Sequence, residues 1–444
     1  MKTNLLVLAA MVMLTASAVF AEDDQLNVPL ECMKKYNFKE FVVASWCFHN
    51  YLGTDYSQEY ANNIEACNFN VALETAYMVP FYEKTKVKVL VSTMIDDKLT
   101  PRDVWGEKRT HPIEVGLDIP YVQDKYGKSP AVIGYHVGSK YGKHPLPAKL
   151  AAKVKQVEDL KAGTMPYVAF IWDVPAHVKA GITIVSDECF GRITHDGFGY
   201  DNKGWAHEKR AGYCKHLESM RRIANEANFA FWPMIPAVTV SKGRGEENQG
   251  NQQGTSEIRF QAMAPIAYGA QGIMYFGVST ARKVWLPDGT SYKAAAEANG
   301  VIKNIIGPRV LGHRSIGVYA TAQDKPVKGK APADTLAPAP GKLIEKMDQA
   351  AIAGVLVKEA DFKSSANTPH YVMLVNCQTD VLMDEGKLQP RDIKVTFGPM
   401  VQGVEIIEAD GKITKSGREV SVNLRAGDGR LLKVVMAPGA AATK

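Results

Sequence analysis

The stretch AVIGYHVGSK, residues 131–140, is typical of a buried β-strand and decides the fold class. A helix is predicted to begin at Pro147, because apolar residues follow it at helical spacing up to the break at Gly163. A second apolar run, residues 167–172, comes next. Strand, helix and strand in this order predict a β-α-β unit, whose parallel strands carry functional residues at their carboxyl ends. No carboxylate stands at the end of this strand, where the chain has Gly138-Ser139-Lys140.

The same alternation of strand-like and helical runs extends over most of the chain. The predicted strands are residues 41–46, 69–74, 87–92, 131–140, 167–172, 181–186, 229–235 and 272–276. This pattern predicts an α/β fold, a TIM barrel over residues 35–315, in preference to an open doubly wound sheet. Residues 321–349, with their Lys-Gly-Lys and Ala-Pro runs, are predicted to be a linker. Short alternating strands predict a small all-β sandwich over residues 350–437.

The first 21 residues have the parts of a secretory signal peptide. Lys2 precedes an apolar run from Leu5 to Leu14, and small residues lead to Ala21, after which we expect cleavage. Cleavage would leave 444 − 21 = 423 residues. No cysteine follows the small residues, and no later run approaches the roughly 20 apolar residues of a spanning helix. We therefore expect a secreted or periplasmic protein that is not a lipoprotein and has no membrane span.

Charge and cysteine content limit the classes of partner. The net charge of +6 is spread over 53 basic and 47 acidic residues, which argues against nucleic acid. The 6 cysteines are widely spaced, so disulfides and buried free thiols both stay open. No Gly-rich nucleotide-binding loop follows an early strand, and no cofactor is predicted. The histidines near the predicted functional face lack the spacing of a zinc motif, so no metal is predicted. They are His49, His136, His144, His195 and His207.

Sugar hydrolysis requires two carboxyl groups on either side of the bond, one protonated and one ionised. Glu74 follows the second predicted strand, and the adjacent pair Asp187 and Glu188 follows the sixth. Neighbouring carboxylates raise each other's proton affinity, which suits acid–base catalysis. Adjacent residues on a strand point to opposite sides, however, so only one of the pair can face a pocket. Asp187, Glu188 and Glu74 are the predicted catalytic residues, with loop caps and arginine partners as the alternative.

Aromatic residues at strand ends predict a sugar-binding pocket. Trp46, Trp172 and Trp232 lie at or near predicted strand ends, and their flat faces suit the apolar faces of sugar rings. Lys140 at the end of the fourth strand and Tyr275 on the eighth are predicted to line the same pocket. Core packing is the alternative for any single tryptophan.

Several runs resemble one enzyme group. Residues 257–261 and 267–276, the latter with an Ala-x-Gly-Ala-x-Gly-Ile-x-Tyr-Phe pattern, resemble the last helix and strand of β-galactosidase-like barrels of the clan A glycoside hydrolases. Gly134-Tyr135, residues 305–308 and residues 428–432 are similar to the same group. The resemblance implies a TIM barrel with a C-terminal β-sandwich that acts on an oligo- or polysaccharide.

The chain departs from this group at the catalytic positions. The resemblance implies carboxylates after strands four and seven, where this chain has Gly138-Ser139-Lys140 and Pro236-Ala237-Val238. Either the acids have moved to Glu74 and Asp187-Glu188, with Glu246-Glu247 from a loop, or the barrel has kept its cleft and lost hydrolysis. The first interpretation is an exported glycoside hydrolase, and the second is a non-catalytic carbohydrate-binding protein. A structural module of the cell envelope is the third.

Overall fold

The computed structural model describes ten stretches of the chain and one single residue. They are residues 28–46, 57–92, 119–139, 147–169, 178–187, 213–237, 254–276, 287, 289–321, 336–379 and 388–439. The predicted signal peptide, residues 1–21, lies outside them.

A seven-stranded parallel sheet forms the centre of the first domain, with strand order β5-β4-β3-β2-β1-β9-β8. Two short strands, β6 and β7, form a further parallel pair. The strands are β1 Val42–Trp46, β2 Val71–Thr75, β3 Lys88–Ser92, β4 Val132–Ser139, β5 Met165–Ala169, β6 Ile184–Val185, β7 Ala230–Phe231, β8 Met234–Pro236 and β9 Gly272–Phe276. The α/β class predicted from the sequence is confirmed.

Main-chain hydrogen bonds continue the parallel ladder across the short strands. The amide of Trp232 donates to the carbonyl of Val185 at 2.8 Å, and the amide of Met274 donates to the carbonyl of Pro233 at 3.0 Å. Strands β7 and β8 are therefore two parts of the single predicted strand 229–235, interrupted at Trp232-Pro233.

The sheet is curled, because its two edges meet across its inner face. Tyr167 lies on the edge strand β5, yet its hydroxyl donates to Met274 Sδ on β9 at 3.0 Å. Its ring also lies 6.4 Å from that of Trp232, next to the other edge strand. One apolar cluster lies inside this curl, and every strand of the parallel ladder contributes residues to it, for example Val42 from β1 and Leu73 from β2. We call this enclosed space the interior.

Helices surround the outer face of the sheet, where a larger apolar cluster lies. Helices α5 to α8 follow β4, β6, β8 and β9, as expected for β-α units. The helices are α1 Glu31–Lys34, α2 Gln58–Ala66, α3 Val79–Tyr82, α4 Ile119–Tyr126, α5 Pro147–Leu160, α6 Tyr213–Ala227, α7 Thr255–Ala267, α8 Thr290–Val301, α9 Gly307–Val310 and α10 Glu359–Lys363. A 3₁₀ turn, Ala76–Met78, precedes α3, and a π-helical turn, Ile302–Ile306, follows α8.

Helix α7 joins the two domains. All its residues except Thr255 and Arg259 are buried, as expected for a helix that is covered on every side. Gly354 of the second domain approaches its last turn so closely that a Cβ at this position would lie 1.9 Å from the Ala267 carbonyl oxygen. A side chain at 354 would therefore push the two domains apart.

The second domain consists of two antiparallel sheets, with strand orders β10-β12-β13-β18-β15-β16 and β11-β14-β17. Side chains of both sheets share one apolar core. The strands are β10 His313–Ala320, β11 Ile344–Met347, β12 Ala351–Lys358, β13 Tyr371–Asn376, β14 Arg391–Phe397, β15 Val401–Ile407, β16 Ile413–Ser416, β17 Glu419–Leu424 and β18 Gly429–Met436.

Strands β10 and β11 belong to this second domain, although they overlap the predicted barrel, 35–315, and the predicted linker, 321–349. The sequence gives no sign of this transition, because only Leu311 and Gly312 separate α9 from β10. Gly312, with φ +78°, turns the chain between them.

Two further sequence features can be compared with the described residues. Among the described residues, Cys32, Cys67, Cys214 and Cys377 form no disulfide, while Cys47 and Cys189 lie outside the described residues. None of the described helices combines the length and the apolar character needed to cross a bilayer.

Candidate functional site

Four polar or aromatic side chains form a row at the carboxyl end of the parallel sheet. Thr75 is the register partner of Ser92, Ser92 of His136, and His136 of Tyr167. Register partners on parallel strands face the same side of a sheet. Because the Tyr167 ring lies in the interior, all four side chains face the interior. We call these four residues the interior polar row.

The interior polar row contains two hydroxyl groups that have no hydrogen-bond partner among the described residues. Thr75 is 0% exposed and Ser92 is 2% exposed. Within the described parts of the chain, neither Thr75 Oγ1 nor Ser92 Oγ makes a hydrogen bond. Leaving a buried hydroxyl without a partner costs about 1–3 kcal/mol, so such groups usually mark a position that water or a ligand fills. These two hydroxyls are candidate ligand contacts.

Trp46 packs beside the row at the end of β1. Its ring centroid lies 5.2 Å from that of His136, 5.7 Å from that of Phe276 and 6.4 Å from that of Tyr167. The rings meet edge to face, the geometry that the aromatic quadrupole favours. Trp46 is 1% exposed, so it forms part of the packed floor of the site.

Tyr167 is a hydrogen-bond donor throughout the physiological pH range. Burial raises the pKa of its hydroxyl, and the nearby Ser186 hydroxyl only partly opposes this effect. Ser186 Oγ in turn donates to the Trp232 carbonyl oxygen at 2.8 Å. The Tyr167–Ser186 contact joins β5 to the residue that follows β6.

Glu74 does not face the interior. It alternates with Thr75 along β2, and its Oε1 accepts a hydrogen bond of 3.3 Å from the Tyr82 hydroxyl on α3. The side chain is 0% exposed and lies between the sheet and its helices. The structure therefore does not bring this predicted catalytic acid to the interior polar row.

Asp187 also faces a helix. Its Oδ2 lies 3.0 Å from His216 Nε2 on α6, and the side chain is buried. The preceding residue, Ser186, contacts Tyr167 in the interior, so side-chain alternation is consistent with Asp187 facing outward. The two described predicted acids thus contact different helices, and neither joins the row. Glu188, the third predicted acid, lies outside the described residues.

The predicted sugar-binding residues are dispersed. Trp232 packs edge to face on Phe38 at 5.3 Å and lies against Gly272, the first residue of β9, so it lies near the amino end of the sheet. The sequence prediction placed it at a strand end, but this strand continues as β8 to Pro236. The Tyr275 hydroxyl donates to Asn299 Oδ1 on α8 at 2.8 Å, on the outer face. The remaining two, Lys140 and Trp172, lie outside the described residues.

The architecture is similar to that of known enzymes, although no protein-family model and no curated protein matches the sequence. A solved structure described as a glycoside hydrolase is 11% identical, with a TM-score of 0.52 over 93% of this chain and 97% of that chain. A glycoside hydrolase family 5 protein from Bacteroides vulgatus ATCC 8482 is 10% identical, with a TM-score of 0.51 over 93% of this chain and 94% of that one. The fold is glycoside-hydrolase-like. At these identities the likeness concerns the fold alone, and at that level it confirms the resemblance found in the sequence.

Sequence reasoning missed most of the interior polar row of this glycoside-hydrolase-like fold. His136 was noted only as a histidine without zinc spacing, and the hydroxyls of Thr75 and Ser92 were passed over in favour of carboxylates. The available signal was positional, because Thr75 and Ser92 stand at the ends of two consecutive strand-like runs. Within the described residues, no group of three or more metal-binding side chains comes together.

Proposed function

We propose that this protein binds an oligo- or polysaccharide at the carboxyl end of its parallel sheet, as a carbohydrate-binding protein on a glycoside-hydrolase-like barrel. The interior polar row carries this proposal. Within the described residues its Thr75 and Ser92 hydroxyls have no hydrogen-bond partner, and sugar hydroxyls can both donate to them and accept from them. The aromatic floor at Trp46 and Tyr167 suits the apolar faces of sugar rings.

The proposal includes a closed eight-stranded barrel. The interrupted strand formed by β7 and β8 counts as one of the eight. Hydrogen bonds then connect the strands in the order β6, β7–β8, β9, β1, β2, β3, β4 and β5. Closure requires only that β5 and β6 be neighbours, and the close approach of residues of β5 to residues of β6 supports this arrangement. In such a barrel the carboxyl ends of the strands converge on one site.

Binding without hydrolysis is the function that the described residues support best. Glycoside cleavage requires two carboxyl groups about 5–9.5 Å apart across the scissile bond. Glu74 is directed to Tyr82 and Asp187 to His216, on the helix side of the sheet. The interior polar row offers hydroxyl, imidazole and phenol groups, which suit hydrogen bonding to a sugar.

Hydrolysis is the second candidate function. The solved structures with the higher TM-scores, which match almost the whole chain, are glycoside hydrolases. In this alternative Glu188 would be the acid, with carboxylate acid/base chemistry as in the sequence prediction.

A glycan panel separates the two functions. Wild type and Glu188→Gln would each be tested for retention in gels that contain polysaccharide and for release of reducing ends from the same glycans. If the protein is a binder, the glycan retards both wild type and Glu188→Gln in the gel, and neither protein releases product from the glycan. Product release by wild type that disappears in Glu188→Gln would establish the hydrolase instead, and absence of retention on every glycan would contradict both.

We also propose that the protein is exported, because residues 1–21 have the composition of a signal peptide. Protein recovered from a secreting host should begin at Glu22 by amino-terminal sequencing. A mature chain that retains Met1 would contradict export by this route.

A further inference from the structure

A cavity of about 280 Å³ lies where the two domains meet. Its wall in the first domain consists of residues 28–29 and helix α1, and its wall in the second domain runs from the end of β12 along helix α10. The turn at residues 311–313 lies between the two walls. None of the lining residues belongs to the interior polar row, so this cavity is separate from the candidate functional site.

Hydrogen bonds between the domains hold the walls of the cavity in place. The Glu31 amide donates to Glu359 Oε2 at 2.7 Å. The Glu359 amide donates to the Gly312 carbonyl oxygen at 3.1 Å, and the Gly312 amide donates to Gln271 Oε1 at 2.8 Å. A Cβ at position 312 would lie 2.0 Å from the Val28 carbonyl oxygen, so the turn packs tightly against the first wall. The cavity is therefore a fixed feature of the domain junction.

Lysines outnumber carboxylates among the residues that line the cavity. Lys34 comes from the first domain, and Lys358 and Lys363 come from the second. The two carboxylates are those of Glu31 and Glu359. Three ammonium groups and two carboxylates leave the described lining with a net positive charge at neutral pH.

Both carboxylates already have partners. Glu359 Oε1 accepts from Arg314 Nη2 at 3.0 Å, and its Oε2 accepts from the Glu31 amide. Glu31 Oε2 lies 2.6 Å from Lys34 Nζ. Within the described residues, Lys358 forms no ion pair with either of these carboxylates. The positive charge of Lys358 is therefore available to a ligand.

The charges of the two domains act on one another across the cavity. The pKa of Glu31 is lowered mainly by its hydrogen bond with Lys34, and Lys363 of the second domain adds to this effect. The pKa of Lys34 is raised mainly by the same hydrogen bond, and Glu359 adds to that effect. Lysines of both domains are therefore close enough to act on a single ligand.

We propose that this cavity binds a small ligand with a phosphate or sulfate group through Lys34, Lys358 and Lys363. A lysine ammonium group is a compact point charge with three donors, and a tetrahedral oxyanion offers oxygens to several such groups at once. The side chains of Lys34 and Lys363 are 50% and 47% exposed, so the ligand can enter from solvent. The cavity volume is near the lower limit of small-molecule sites, about 300 Å³, which suits a free ion or one sugar unit.

Isothermal titration calorimetry of the full chain, with inorganic phosphate as the probe, tests the proposal. The titrations would use wild type, Lys358→Gln and the control Lys415→Gln at pH 7.5 and constant ionic strength. Lys415 is an exposed lysine on β16, at the far edge of the sheet that contains Lys358. We expect wild type and Lys415→Gln to bind phosphate equally well. Lys358→Gln should bind about tenfold more weakly, because one charge-assisted hydrogen bond is lost.

Galactose 6-sulfate and galactose, titrated in the same way, distinguish a free ion from a sugar ester. Binding of phosphate alone would assign the free ion, and tighter binding of the sulfated sugar than of phosphate would assign the ester. Unsulfated galactose should not bind at this cavity. Absence of saturable binding of both anions to wild type would overturn the proposal, and so would an equal loss of affinity in the two lysine variants or wild-type affinity in Lys358→Gln.

If Lys358→Gln does not fold, lysine acetylation of wild type provides the decision. Peptide mass spectrometry would measure the acetylation rates with and without the anion that binds. Lys34, Lys358 and Lys363 should be acetylated several-fold more slowly when the anion is present, while the rate at Lys415 stays the same. Unchanged rates at all three cavity lysines would also overturn the proposal.

Discussion

Glu74 and Thr75 are neighbours on one strand, but they face opposite sides of the parallel sheet. Thr75 faces the interior, and Glu74 accepts from Tyr82 among the helices. A buried carboxylate next to a helix contributes to the packing of that helix, whereas a hydroxyl in the interior can reach a ligand. A difference of one residue therefore separates a structural acid from a candidate binding group.

At the residue scale, Cys32 provides a prediction about thiol chemistry. Burial raises the pKa of its thiol to about 11, against which the nearby Arg314 acts only weakly. Because the thiolate is the reactive form, alkylation by iodoacetamide at pH 8 should be at least about 100-fold slower in the folded chain than in urea. Peptide mass spectrometry after timed alkylation measures this ratio, and equal rates would contradict the assigned burial.

The same shift fixes the sign of a stability effect. A thiol whose pKa is raised on folding favours the folded state while it is protonated, so this contribution is lost as the pH rises from about 8.5 towards 11. Cys32→Ser should flatten the loss of stability over this alkaline range. An unchanged slope in alkaline urea titrations would mean that Cys32 is not the group involved.

At the element scale, helix α7 is the contact between the domains, and Gly354 is its most constrained neighbour. Gly354→Ala would place a methyl group 1.9 Å from the Ala267 carbonyl oxygen. Overpacking of this kind costs about 1–3 kcal/mol or more, so we expect a clear fall in the free energy of unfolding. Gly417→Ala is the matched control, since no heavy atom lies within 4 Å of the position of its Cβ. Equal stability of the two variants in urea would show that α7 can move away from β12.

The elements themselves could be predicted from the sequence because their signals are local. β-branched runs and helical spacing located every strand of the parallel ladder, including residues 272–276, where predicted and observed bounds agree. The side of the sheet to which each side chain points could not be predicted equally well. Strand side chains alternate with a period of two, so an error of one residue at a strand end reverses the assignment. Asp187 illustrates this, since Ser186 faces Tyr167 and Asp187 faces His216.

Contacts between residues that are far apart in the sequence could not be predicted from the sequence. Trp232 was assigned to a position at or near a strand end, whereas the strand continues beyond it to Pro236. The pairing of His313 with His370 depends on the order of β10, β12 and β13 in the sheet, which no local pattern encodes.

At the scale of the whole molecule, the central claim is that the interior of the curled sheet binds a glycan through hydroxyls that have no hydrogen-bond partner in the described parts of the chain. Ser92 and Ser45 provide a matched pair, because both are buried and the hydroxyl of each lacks a hydrogen bond within the described residues. Ser92 faces the interior. Ser45 alternates with Trp46 on β1 and therefore faces the helices.

The most direct measurement is the glycan affinity of Ser92→Ala and Ser45→Ala by calorimetry, on the glycan that wild type retains. Neither substitution removes a hydrogen bond to any of the described residues, so both variants should keep wild-type stability to within about 1 kcal/mol. Ser92→Ala should bind about tenfold more weakly, because one hydrogen bond to the sugar is lost, and Ser45→Ala should bind as wild type does. Wild-type affinity in Ser92→Ala, or an equal loss in both variants, would contradict the interior as the binding site.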